Sequence, residues 1–189
     1  MFTLFIITVM GLFQSDSKTE IQKYEVIKTF GEVEIRYYPP AILATVEMGG
    51  TYDSSRNSSF GTLARYIFGG NEEKMQISMT APVRVSEAEQ TMSFVMPSRF
   101  TSAQLPRPED DRVRLHSTGP EYVAVVRFGG WASDRKIQQM KERLSGWITS
   151  QGLKHNSRFE YLGYNPPFQL TNRRNELLVG LVYDQGNIP

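Results

Sequence analysis

His116 and His155 are the only histidines, and there is no cysteine. Those counts narrow the chemistry at once. Without thiols there is no disulfide, thiolate nucleophile, zinc knuckle or iron–sulfur cluster, and a lipoprotein anchor is excluded because it needs a cysteine to acylate. His116 falls in a strand-like segment and His155 in a polar loop, Lys154–Asn156. Neither has a His or carboxylate neighbour at the spacing that zinc sites use. Solvated or hydrogen-bonded imidazoles are the default reading for both, with metal ligation as the alternative. No GxSxG, HExxH, Walker A or GxGxxG motif occurs. A reaction would need serines or carboxylates assembled from distant parts of the chain, so the expectation is a protein that binds rather than catalyses. Asn57-Ser58-Ser59 matches a glycosylation acceptor but lies inside a predicted helix, which weakens it.

The 189 residues suit one domain or two fused halves, and 40% hydrophobic with 22% charged side chains exclude a disordered chain. Twenty-one Lys plus Arg against twenty Asp plus Glu leave a net charge of +1. Nucleic-acid binding needs clustered excess positive charge, so no such partner is expected. A monomer is expected.

Residues 1–20 stand apart. Met1–Phe13 (MFTLFIITVMGLF) has no charged side chain, yet a membrane-spanning helix needs about 20 apolar residues. The stretch fits the apolar region of a secretory signal, with Val9 and Gly11 as small residues before a cleavage point, but lacks the preceding Lys or Arg. Export or membrane tethering is the expectation. A misassigned start, or a hydrophobic tail folded onto a cytoplasmic domain, is the alternative. Residues 14–20 read as a linker, and the domain proper spans 21–189.

From Ile21 onward the hydrophobic period is mostly two, interrupted by two helical stretches. Lys23–Phe30 and Glu32–Tyr38 read as a hairpin about Gly31, and Ala41–Met48 as a third strand. Phe60, Leu63, Ala64, Ile67 and Phe68 predict an amphipathic helix over 54–68, capped by Asp53 or Ser54 and ended by Gly69–Gly70. Strands follow at Lys74–Met79 and Thr91–Met96. After a Pro-rich acidic loop, Gln104–Asp111, come strands at Arg112–His116 and Tyr122–Phe128. A second helix over 133–151 has the stripe Ile137, Met140, Leu144, Trp147 and Ile148, and strands close the chain at Phe159–Tyr164 and Glu176–Tyr183. The two passes are alike. Leu43–Gly50 (LATVEMGG) resembles Val123–Gly130 (VAVVRFGG), and each Gly pair leads into a helix that closes 17 or 18 residues on, at Ile67 and Ile148. The pattern predicts an α+β fold in which a duplicated βαββ unit builds a distorted antiparallel β-barrel flanked by two long helices.

Three segments carry a family resemblance: EIRYY (Glu34–Tyr38), GGNEEKMQISMTAPV (Gly69–Val83) and GYNPPFQLTNRRNEL (Gly163–Leu177). Together, in order and over Tyr24 to Tyr183, they resemble the SOUL haem-binding proteins. The resemblance implies a distorted barrel built from two βαββ halves, and non-covalent binding of haem or another tetrapyrrole without a reaction. Some members carry a histidine, proposed as an axial ligand, after the Arg of the EIR segment. Tyr37 stands there in this chain. A tyrosinate can ligate ferric haem, but a phenol needs a nearby cation to ionise. An aromatic on a half-buried strand is the plainer reading of Tyr37. In other members the haem lies in an apolar groove along the first helix, at positions that fall here on Asn57, Ala64 and Arg65. A helical wheel at about 100° per residue adds Gly61 and Phe68 to the same flank. Small side chains at Gly61 and Ala64 leave room for a flat ring, Phe68 offers a stacking surface and Arg65 a partner for a propionate. The competing reading is that Gly61 and Ala64 let the helix approach the sheet, with Arg65 solvated.

The signature residues themselves read as structural: Met79–Val83 as a strand leaving the sheet, Asn172–Glu176 as a turn in which Arg173 or Arg174 pairs with Glu176. Two further functions remain open. One is a protein-interaction domain using the amphipathic helix Ser133–Ser150. The other is a binder of another flat or cationic apolar ligand, or an enzyme built on that fold.

Overall fold

The structure is a computed structural model that describes residues 19–50, 52–166 and 169–182, with the side chains of 52 and 53 left aside. The N-terminal segment read as a signal or tether therefore lies outside the described residues. In chain order the elements are β1 (Glu20–Ile21), β2 (Glu25–Phe30), β3 (Val33–Tyr38), β4 (Ile42–Glu47), α1 (Tyr52–Ile67), β5 (Thr80–Ala81), β6 (Val83–Ser86), β7 (Thr91–Val95), β8 (Arg114–Ser117), β9 (Glu121–Phe128), α2 (Asp134–Ser150), β10 (His155–Gly163) and β11 (Asn175–Leu181). Among the described residues no helix is long and apolar enough to cross a membrane.

Nine strands form one antiparallel sheet in the order β2-β3-β9-β11-β10-β6-β7-β4-β8, and β1 pairs in parallel with β5. Outward from the β6–β10 junction the order is the same on both sides: second, third, then first strand of a pass. Beyond it each first strand is flanked by the strand that precedes the other pass, β8 beside β4 and β3 beside β9. The expected barrel is corrected. The sheet stays open, with β2 and β8 as its edges. Closure would join those two, but β2 is exposed along nearly its whole length and carries a register shift between Val26 and Lys28. β8 is only four residues, with Arg114 and His116 outward. Short, charged and bulged strands are how edges avoid pairing.

Strand alternation sorts the side chains. Ala44, Val46, Val85, Met92, Phe94, Ala124, Val126, Tyr161, Leu177 and Val179 share one cluster with Leu63 and Ile67 of α1 and Ile137, Leu144 and Ile148 of α2. Both helices therefore lie on the same face, α1 over β4 and β7, α2 over β9, β10 and β11. The α2 stripe is buried at Ile137, Met140, Leu144 and Ile148 as its spacing predicts, and Ser133 caps the helix by accepting from the Lys136 amide at 3.3 Å.

α1 departs from its predicted orientation. It starts at Tyr52, so Asp53 and Ser54 lie within it rather than at its cap. Its buried side chains are Ser55, Ser59, Leu63, Tyr66 and Ile67, while Phe60 and Phe68 are 37% and 62% exposed. Leu63 and Ile67 of the expected stripe are buried and Ala64 packs against the core, but two small hydroxyl residues complete the buried face while Phe60 and Phe68 turn outward. Gly70 closes the helix by donating to the Arg65 carbonyl at 2.8 Å. A side chain there would meet that carbonyl at 2.7 Å, so glycine is required. The strand expected over Lys74–Met79 is instead a loop. Fully buried Asn71 donates to the Tyr66 and Met75 carbonyls (3.0 and 2.9 Å) and accepts from the Met75 amide at 2.9 Å. Its side chain supplies the backbone partners that a ladder would otherwise give.

Candidate functional site: a cleft beside the first helix

The family-like segments meet on the face away from the helices. Arg36 of the EIRYY segment donates to both carboxylate oxygens of Glu176 at 2.7 and 3.1 Å. Arg174 reaches the same carboxylate at 2.9 and 2.8 Å, and the Tyr164 hydroxyl donates to it at 2.8 Å. Glu176 is 0% and Arg36 3% exposed. Burial pulls the Glu176 pKa up, but the bonds and charge of Arg36, joined by Arg174 and Tyr164, outweigh it and hold the carboxyl below its ordinary range. Burial also pushes the Tyr164 hydroxyl far up, so it stays a donor. Of the turn read over Asn172–Glu176, residues 172–174 form it, with Asn172 at a left-handed φ of 51°, while Asn175 and Glu176 already belong to β11; the expected Arg174–Glu176 pair is present. Arg173 goes elsewhere.

The predicted binding residues separate into two places. Asn57, Gly61, Ala64, Arg65 and Phe68 form a strip along α1, but the strip points away from the sheet. Asn57, Gly61, Arg65 and Phe68 are exposed, and Ala64 is half-buried against the core. Arg65 lies 3.9 Å from Asp110, whose carboxyl is held down to about 2, chiefly by its hydrogen bond from Arg112. The two readings of the small residues divide here: Ala64 packs against the core and Arg65 is exposed, as the close-approach reading has them, and Gly61 is not in contact. A Cβ there would meet nothing within 4 Å, so close approach to the sheet does not explain the glycine. Tyr37 is not part of the strip. It sits half-buried on β3 against Tyr122, ring centroids 5.1 Å apart, and β9, β11, β10 and β6 separate β3 from the strands under α1.

One end of the strip borders a true cleft of about 170 Å³ between α1 and the loop that enters α2. Asn57 and Phe60 form the α1 wall, Trp131 and Ala132 the opposite wall, and Met92 and Tyr161 line it from the sheet. Phe60 leans edge-on against Phe94 at 5.1 Å. Trp131, 51% exposed, is placed by its loop. Gly130 has φ +79°, and its carbonyl accepts from buried Asn175 at 2.8 Å. The Arg173 guanidinium lies over the Trp131 ring at 4.3 Å, and its Nη1 donates to both the Pro166 and Gln169 carbonyls at 3.0 and 2.7 Å. Its Nε is buried without a partner among the described residues. Two partly exposed rings with a fixed cation behind one of them can hold a flat apolar ligand carrying an anionic group. Sequence reasoning missed Phe60, Trp131 and Arg173 as site residues. The signal was a tryptophan placed directly after the second Gly pair, a large apolar side chain where a turn needs none.

His116 is exposed on β8, and the His155 Nδ1 accepts from the Ser157 amide at 3.0 Å. Among the described residues no cluster of three metal-ligating side chains occurs. The α2 stripe is used in the core, so it offers no free apolar face.

Comparison with known proteins follows the same lines. In fold, the chain is similar to the EcmrR C-terminal domain (TM-score 0.59, 9% identity, covering 84% of this chain and 97% of that one) and to a hydrolase from Listeria innocua (TM-score 0.56, 10% identity, 79% and 91% covered). In sequence it is 34% identical over 158 residues to heme-binding protein 2 of Mus musculus, covering 78% of this chain and 77% of that protein. Heme-binding protein 1 of Xenopus tropicalis is 24% identical over 153 residues, with 76% and 80% covered. The family model described as SOUL heme-binding protein matches residues 19–180, and the chain belongs to that family.

Proposed function

We propose that this protein binds haem or a related tetrapyrrole, non-covalently and without catalysis, beside α1. Family membership and the relatives named heme-binding proteins support the ligand class. The location rests on one observation: a cleft walled by the partly exposed rings of Phe60 and Trp131 opens onto the bare Gly61 strip of the same helix. A cleft of this volume takes the edge of a macrocycle, and the plane extends over Asn57, Gly61 and Ala64. Arg173 at the cleft and Arg65 along the strip are the cations available to propionates. A porphyrin buries several hundred Å² of apolar surface, which at about 25 cal/mol per Å² outweighs any one exposed ion pair. Binding therefore does not depend on an axial ligand from Tyr37 or His116. The symmetric strand order supports reading the domain as a duplicated βαββ unit. A monomer without nucleic-acid partners, exported or tethered through Met1–Phe13, completes the reading.

Haemin titration followed at the Soret band tests it. A saturable shift at one equivalent is expected. Trp131→Ala, Phe60→Ala and Ala64→Trp each weaken it at least tenfold, and Tyr37→Phe and His116→Ala leave it unchanged. Loss of binding in Tyr37→Phe with none in Ala64→Trp would put tyrosinate ligation in its place, and no Soret shift at all would remove the ligand class.

A further inference from the structure

The face of the sheet away from the helices is apolar over β9, β10 and β11, where Val123, Val125, Leu162 and Leu178 cluster with Tyr38. Over β6, β7 and β4 the same face turns polar. Register places Arg84, Ser93 and Thr45 in one row across these three strands, and Ser86 beside Thr91 two residues on. Glu160 of β10 pairs with Ser86 and extends that second row. At about 4.8 Å between strands and 3.4 Å per residue, the two rows cover a patch of about 10 by 7 Å. The four hydroxyl residues and Arg84 are all buried. They line a cavity of about 410 Å³ with Leu43 and Leu178 as apolar walls, and it shares no residue with the cleft beside α1. Packing alone does not call for hydroxyls here, because burying one without a full set of partners costs folding free energy.

Thr45 and Ser93 share one hydrogen bond at 2.7 Å, and Ser86 accepts from the Glu89 amide at 3.2 Å. A hydroxyl offers one donor and two acceptor sites, so most of this capacity stays open. The Thr91 hydroxyl and Arg84 Nη1 make no hydrogen bond among the described residues, and both atoms keep accessible surface although their residues are more than nine-tenths buried. The charges, in contrast, are already matched. Arg84 donates from Nε to Glu160 at 2.7 Å and from Nη2 to Glu121 at 3.3 Å. The second bond reaches from β6 to β9, past β10 and β11, and so spans the cavity side of the sheet. An anion entering here would meet Glu121 and Glu160, and a cation would meet Arg84. A neutral ring carrying several hydroxyls meets neither penalty: each can donate to a carboxylate and accept from Nη1 or a neighbouring hydroxyl. Its C–H groups lie against Leu43 and Leu178. The volume falls in the range of small-ligand sites, about 300–1,000 Å³. We infer that this cavity binds a neutral cyclic polyol of hexose size, read by the two hydroxyl rows and Arg84.

The test titrates the uniformly ¹⁵N-labelled full chain with D-glucose, D-galactose and myo-inositol, and separately with cyclohexanol, which keeps a six-membered ring but only one hydroxyl. At least one of the polyols should shift the Thr45, Thr91 and Ser93 backbone amides saturably, with a Kd at least tenfold below that of cyclohexanol. This comparison needs no variant. Thr91→Val should fold with an unchanged or raised Tm and weaken that polyol at least tenfold. Its haemin affinity should stay within twofold of the parent, since Thr91 does not line the cleft beside α1. The assignment is overturned by any of three results: no saturable shift of those amides with any of the polyols, cyclohexanol binding as tightly as they do, or a Thr91→Val protein that binds the polyol like the parent.

Discussion

Gly61→Ala is the substitution that most directly separates a ligand-facing glycine from a packing one. Gly61 lies well inside α1, is solvent-exposed, and has no positive φ. A methyl group there meets nothing within 4 Å. Helix propensity alone then governs, and alanine is favoured over glycine by about 1 kcal/mol in a helix interior. For a domain of this size that corresponds to a rise in Tm of about 2–4 °C. Gly61→Leu should retain most of the gain, since leucine is also a good helix former and the space is open. Haemin should respond in the opposite direction. A leucine side chain lifts a ring lying over Asn57 and Ala64, and losing about 60 Å² of contact at ~25 cal/mol per Å² costs ~1.5 kcal/mol, about tenfold in Kd. Thermal unfolding by circular dichroism and Soret titration on the same samples give both numbers. The reasoning fails if Gly61→Ala lowers the Tm, which would mean a packing role. It fails equally if Gly61→Leu binds haemin as tightly as the parent.

Glu176→Gln leaves Arg36 and Arg174 without their shared anion and should cost about 3–5 kcal/mol in urea unfolding. Because the Glu176 pKa is lowered on folding, its contribution is complete above the unfolded carboxyl pKa and lost as pH falls through the folded one. The parent should therefore lose stability below about pH 4, with a shallower loss in Glu176→Gln. Asn71→Ala strands two carbonyls and an amide in the α1–β5 loop, for about 2–3 kcal/mol in the same assay. Its haemin affinity should stay within twofold of the parent, since Asn71 does not line the cleft.

What the sequence made legible follows from where one signal acts alone. Ile137, Met140, Leu144 and Ile148 repeat at helical spacing with polar residues between, and nothing competes with them, so the buried face of α2 is read correctly. In α1 the apolar residues and the buried residues overlap only at Leu63, Tyr66 and Ile67. Ser55 and Ser59 are buried for their size, while Phe60 and Phe68 face out. Hydrophobic spacing cannot detect a stripe made of serines. The same limit applies to Lys74–Met79, where the side chain of Asn71, an ordinary polar loop residue by sequence, replaces the strand partners. Barrel closure depends on the two edge strands, and the features that keep β2 and β8 unpaired, the register shift in β2 and the shortness of β8, emerge only from the strand pairing. Of the proposed site, the sequence pointed to α1 and Gly61, but the opposite wall comes from a loop more than seventy residues away and only folding brings Trp131 to the same cleft as Phe60.

The buried ion network and the aromatic walls of the cleft sit on opposite sides of the sheet, although Val83, Gly163, Asn165 and Arg173 of the signature segments also line the cleft. Arg36, Tyr164, Arg174 and Glu176 tie β3, β11 and the segments between β10 and β11 together in a buried ion network on the face away from α1. Phe60, Gly61 and Trp131 belong to none of the signature segments. Consecutive residues connect the two. Arg174 turns to Glu176, while Arg173 turns to the Trp131 ring, and Asn175 holds the loop that carries Trp131. The turn before β11 thus transmits the geometry of the buried network to one wall of the cleft. On the proposed reading, Arg36→Ala should weaken haemin binding in the Soret titration through the placement of Trp131 rather than through contact, and unchanged affinity in a folded variant would refute that link.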